Sequence, residues 1–112
     1  MISEDRAEKA VEWIRDNAPR LGSARGRMAA ADASMRRTKA LEMMAARELS
    51  DKKRTESELE SMAYCSPAYA DAIEELSNAT AEYETQRAMF QAAELTVEVW
   101  RSQNSAARRG NV

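Results

Sequence analysis

Tyr69, Leu76, Tyr83, Phe90 and Val97 set a large apolar side chain at every seventh position, and Ala72, Ala79, Gln86, Ala93 and Trp100 follow three residues behind them. A strict seven-residue spacing of this kind marks the seam of a left-handed coiled coil, here with large residues at one seam position and mostly small ones at the other. It restricts the chain to long helices lying side by side. Composition agrees: 112 residues contain three Gly and two Pro, while alanine, glutamate, arginine and methionine abound. The expected fold class is all-α, in a single domain spanning residues 1–112.

Helix boundaries follow from local signals. Ser3, with Glu4 and Asp5 behind it, is an N-cap followed by carboxylates at the positive end of a helix dipole. Ala7, Ala10, Val11, Ile14 and Ala18 then recur at helical spacing until Asn17 and Pro19, which predicts a first helix over residues 3–17. Leu21, Ala24, Met28, Ala31 and Met35 resume the stripe, and with no Gly or Pro between Arg27 and Ser66 a second helix is expected over 20–64. Leu49-Ser50-Asp51 and the capping-box spacing of Thr55 and Glu58 leave a kink or short break open near 49–55. Ser66 and Pro67 have the residue types of an N-cap and a first helical position, so a third helix is expected over 66–104. Residues 105–112 lack apolar periodicity and read as a flexible tail.

A turn at Ser66-Pro67 makes the second and third helices a long antiparallel hairpin, with the short first helix packed at its open end. This register places Met62 by Tyr69, Leu59 by Ala72, Leu41 by Phe90, Thr38 by Ala93 and Ala31 by Trp100, so that large mostly meets small. It also sets Thr55, Lys52 and Glu48 opposite Leu76, Ala79 and Tyr83, a polar patch that either fixes register or marks a kink. Val11 and Ile14 are expected to reach the Leu95 and Val99 region. An alanine-rich core buries little area per residue, which predicts a homodimer.

Charge is partitioned. Residues 20–54 carry ten basic and four acidic side chains, and residues 55–100 carry ten acidic and one basic. Basic Arg25, Arg27, Arg36, Arg37, Lys39, Arg47, Lys53 and Arg54 form a candidate nucleic-acid face. The competing structural reading, that these cations pair with the acidic third helix, takes precedence, because flanking charges commonly select coiled-coil partners and no aromatic residues interleave with the basic ones.

No catalytic, cofactor-binding or metal-binding residues are predicted. The chain has no histidine, so imidazole chemistry is excluded, and its acidic clusters read as solvated faces. The single Cys65 has no partner thiol and no base to activate it. The expected protein is therefore not an enzyme and carries no cofactor. No run of residues approaches the length and apolarity of a membrane span. Without a signal peptide at Met1, a cytoplasmic location is expected. Trp100 and Arg101 ending the third helix, together with Trp13 and the basic Arg108 and Arg109, are the candidate protein-binding residues.

The carboxy-terminal half, through Ser66-Pro67-Ala68-Tyr69, Glu82-Tyr83-Glu84 and Val97-Glu98-Val99-Trp100-Arg101-Ser102-Gln103, resembles small helical-hairpin proteins of temperate bacteriophages and prophages. That resemblance implies a protein-binding accessory factor in phage DNA recombination or replication, acting in the bacterial host cytoplasm. The alternatives are an inhibitor of a host defence system of the anti-CRISPR kind and a direct nucleic-acid binder.

Overall fold

The computed structural model describes residues 1–110 and is all-α among them, with helices α1 (Glu4–Leu49), α2 (Glu56–Tyr64) and α3 (Pro67–Gly110). The expected caps form. Ser3 Oγ accepts from Arg6 N at 3.1 Å, Thr55 Oγ1 from Glu58 N at 3.2 Å, and Ser66 Oγ from Tyr69 N at 3.1 Å, each satisfying a first-turn amide that has no partner within its helix.

Several expected boundaries are corrected. The chain does not break between residues 17 and 20: α1 runs through Pro19, Gly22 and Gly26 without a positive φ, so the predicted first helix and most of the second are one element. A proline inside a helix costs about 3 kcal/mol through its missing N–H and its clash with the preceding turn. Pro19 and Arg15, whose carbonyl loses its partner, both lie on the exposed face, where water can satisfy that oxygen. Ile14 and Leu21 meanwhile keep their seven-residue spacing on the inward face. The second helix does not continue to residue 64 either. It stops at Leu49 and restarts at Glu56, so the region left open becomes a break. The flexible tail expected from 105 is helical as far as Gly110, with Arg108 and Arg109 in the last turn where cations favour the dipole. Residues 111 and 112 of that predicted tail lie outside the described residues.

The chain comprises two compact units, one of Met1–Ser23 with the chain from Tyr83 on, the other of Ala24–Glu82. In the second unit α1 ends at the Ser50–Thr55 connection and the chain returns along it. Arg47 pairs with Glu56 at 2.9 Å, Lys39 with Glu60 at 2.7 Å and Arg27 with Glu82 at 2.7 Å, so partners move back along α1 as the chain advances through α2 into α3. The reversal therefore lies at Ser50–Thr55 and not at Ser66-Pro67. Cys65 closes α2 in the right-handed region at φ −89° and ψ −3°, and Ser66 N donates to Ala63 O, leaving a two-residue joint that does not turn the chain back. The buried side chains here are Ala24, Ala31, Ala46, Leu59, Ala63 and Ala79, and Leu59 is the one large residue that is fully enclosed.

In the first unit Ile2 N donates to Gln103 Oε1 at 2.9 Å, and the rings of Trp13 and Phe90 meet at 5.0 Å and 59°. Phe90 thus takes Trp13 as its partner, and Leu41, expected there, is 52% exposed. Along α3 every residue of the sequence repeat from Tyr69 to Trp100 is buried or half-buried, so the heptad does mark the inward face. Gln86 is the buried polar member, and its Oε1 has no hydrogen-bond partner.

Candidate partner-binding groove

On α1, Ala7 and Val11 lie one turn apart, and on α3 Val97 and Trp100 are spaced by three, so each pair projects from one side of its helix. In the first unit these four residues line a groove of about 300 Å³ together with Glu4, Glu8 and Glu12. Ala7 is buried and too short to fill the space in front of it, whereas Val11 is 49% exposed and Val97 and Trp100 are half-buried. Val11 reaches the region of α3 expected for it, sharing the groove with Val97, which lies between Leu95 and Val99, and with Trp100, while Leu95 itself is exposed.

The glutamates form one wall. At a spacing of four they stack along one side of α1, and like charges so spaced oppose helix formation by about 0.2–0.5 kcal/mol per pair. Of the nearby cations, Lys9 pairs with Asp5 at 3.1 Å and Arg15 with Asp16 at 3.7 Å, while Arg6 is exposed without an ion pair among the described residues. Among the described residues Glu4, Glu8 and Glu12 make no ion pair. On the α3 side the lining residues are Val97 and Trp100, neither of which is charged. The result is an apolar floor with negative charge on one edge.

Of the residues singled out from the sequence for protein binding, Trp100 lines the groove and Trp13 packs against Phe90 with the two rings tilted. Arg101 is exposed beside Glu98, and Arg108 and Arg109 are exposed in the last turn of α3. Sequence reasoning did not single out Ala7, Val11, Val97 or the Glu4, Glu8, Glu12 row as a site. The four-residue spacing of the glutamates beside Val11 was the available signal.

The candidate nucleic-acid face is largely engaged within the chain. Arg27 pairs with Glu82, Arg36 with Asp32 at 3.0 Å, Lys39 with Glu60, Arg47 with Glu56 and Arg54, more loosely, with Glu58 at 3.9 Å. Arg25, Arg37 and Lys53 are exposed without an ion pair among the described residues. Lys39 is the most embedded of the set. Its ammonium bonds Glu60 Oε1, which also accepts from Tyr64 Oη at 2.9 Å, and it lies 4.8 Å from the Tyr64 ring centre. The Glu60 hydrogen bond holds the lysine pKa above its ordinary value, and the Lys39 hydrogen bond holds the Glu60 carboxyl below its own.

No group of side chains among the described residues could hold a metal ion, and none of their helices is long and apolar enough to cross a membrane. Compared with family models, curated proteins and solved structures, the chain matches none of them.

Proposed function

We propose that this protein is a non-enzymatic helical hairpin of coiled-coil type that works by docking a protein on its exposed apolar surface, with the groove of the first unit as the contact site. The observation carrying this reading is the wet apolar floor of Val11, Val97 and Trp100 in a chain whose buried residues are mostly alanine. Large apolar side chains left at a surface favour association, because burying each one is worth about 1.5–3 kcal/mol. Self-association belongs to the same reading: in the second unit Leu41, Met44, Met62 and Ile73 are all exposed. The phage resemblance supplies the setting, an accessory role in DNA recombination or replication in the host cytoplasm. Occupying the surface of a host defence enzyme is the same chemistry with a different partner.

The test is affinity capture from a bacterial lysate with the unaltered chain and with Val11→Glu in parallel. Partners retained by the first and lost by the second support the reading, and an identical set with both refutes the groove. Sedimentation at micromolar concentration checks the dimer, against a monomer mass of 12.5 kDa. A direct nucleic-acid role is carried by the unpaired Arg25, Arg37 and Lys53. Titration of labelled DNA at two salt concentrations separates it, since phosphate contacts give a steep salt dependence.

A further inference from the structure

We infer that the occupant of the groove is a basic amphipathic helix, with an apolar stripe facing Val11, Val97 and Trp100 and Lys or Arg at four-residue spacing along one flank. This rests on the reading of the groove as a protein-docking site and adds the chemistry of the partner.

Glu4, Glu8 and Glu12 span eight residues of α1, about 12 Å at the helical rise, which matches two turns of a partner helix lying alongside. A helix presents apolar anchors at i, i+3 or i+4, and i+7, the periodicity needed to follow a floor made by two helices. Charges flanking such an apolar seam select partner and orientation. Here the selection is one-sided, because the α1 wall carries three carboxylates without an ion pair and the α3 lining, Val97 and Trp100, carries no charge. A second copy of this chain fits less well, since Arg27, Arg36, Lys39, Arg47 and Arg54 of its basic segment are matched by its own carboxylates, and the unpaired Arg25, Arg37 and Lys53 form no row at four-residue spacing.

Three synthetic helical peptides with the same leucine stripe and with Arg, Gln or Glu at i, i+4 and i+8 on one flank are titrated into the full chain by calorimetry. A Trp13→Phe chain, in which Trp100 is the sole tryptophan, gives an independent fluorescence readout. The expected result is that the Arg peptide binds at least tenfold tighter than the Gln peptide, that the advantage shrinks as salt rises, and that Glu8→Gln with Glu12→Gln brings the ratio of Arg-peptide to Gln-peptide affinity close to one. Equal affinity of the Arg and Gln peptides overturns the charge inference and leaves the groove reading standing. No binding by any peptide, with Trp100 emission unmoved, overturns both. An Arg-peptide advantage that survives the double Gln variant places the cations elsewhere on the chain and overturns the inference. So does a change in sedimentation of the free chain on Glu8→Lys with Glu12→Lys, which identifies a second copy as the occupant.

Discussion

Replacing Gln86 by methionine should stabilise the protein. Gln86 is 8% exposed, follows Tyr83 and precedes Phe90 on the inward face of α3, and has an Oε1 shielded from water without a donor. A buried unsatisfied group of this kind costs about 1–3 kcal/mol. Methionine has nearly the length and flexibility of glutamine and no group that needs a partner, so most of that cost should be recovered without overpacking. Against a total stability of about 5–15 kcal/mol the gain is large. For a chain of this size 2 kcal/mol corresponds to roughly 5–10 °C in Tm.

Gln86→Ala provides the internal control. It removes the unpaired amide but also a buried methylene worth about 0.8 kcal/mol, and it leaves a cavity where the side chain stood, so it should fall close to the unaltered protein and below Gln86→Met. Urea unfolding followed by circular dichroism at fixed protein concentration reads all three. A methionine variant less stable than the parent refutes the reasoning and shows that the amide has a partner in solution. A polar residue in a coiled-coil seam is also known to fix oligomeric state at a cost in stability. Sedimentation of Gln86→Met therefore accompanies the unfolding curves: a stable variant with an altered mass assigns that role to Gln86.

Two further outcomes are expected. A Cβ added at Gly22 or Gly26 meets nothing within 4 Å, and both residues are helical, so Gly22→Ala and Gly26→Ala should each stabilise by about 0.5–1 kcal/mol in the same urea assay, whereas a loss would indicate that α1 needs freedom there. Because the Glu60 pKa is lowered from an ordinary 4.5, its contribution to stability is present above that value and lost as pH falls through the folded-state pKa. Lys39, raised from 10.5, contributes fully below that pH and loses its contribution as pH rises through its higher folded-state value. Glu60→Gln should accordingly flatten the acid limb of a stability-versus-pH curve below pH 4.5, and an unchanged limb would remove the Lys39–Glu60–Tyr64 cluster from the account.

Signals that act over one helical turn were legible in the sequence. Ser3, Thr55 and Ser66 each cap the helix they precede, because a side-chain oxygen three residues ahead of an amide needs no tertiary context. The heptad of Tyr69 to Val97 identified the buried face of α3 for a similar reason, since periodicity alone decides which side of a helix is inward. The place of reversal was not legible from the same cues. Pro19 looks like strong punctuation, but a proline inside a helix, costing about 3 kcal/mol, is outweighed when apolar residues on both sides stay in phase, as Ile14 and Leu21 do, while Ser66-Pro67 does separate α2 from α3 without reversing the chain. The warning was the polar patch. A turn at Pro67 sets Lys52 and Glu48 against Ala79 and Tyr83, and a reversal within Ser50–Thr55 takes the whole polar run off the seam. The groove was hidden behind that choice, because Ala7 and Val11 meet Val97 and Trp100 only when α1 and α3 are matched directly.

The two units treat charge differently, and the difference bears on function. In the second unit Arg27, Lys39 and Arg47 of α1 are each matched by a glutamate of α2 or α3, so much of the charge partition seen in the sequence goes into choosing the fold. Such exposed pairs contribute little stability individually, and their value lies in orientation. In the first unit the contacts that hold α1 to α3 are apolar or neutral, Trp13 on Phe90 and Ile2 N on Gln103, and Glu4, Glu8 and Glu12 take no part in them. Folding would tolerate replacement of Glu8 and Glu12 by glutamine and gain slightly from the lost repulsion. Glu4 also serves the dipole of the first turn, but Glu8 and Glu12, like charges aligned along the edge of an apolar groove, are better explained by what approaches from outside than by what lies beneath. If Glu8→Gln and Glu12→Gln leave thermal stability equal or higher while weakening capture of a partner, recognition and folding use separate sets of charges in this protein.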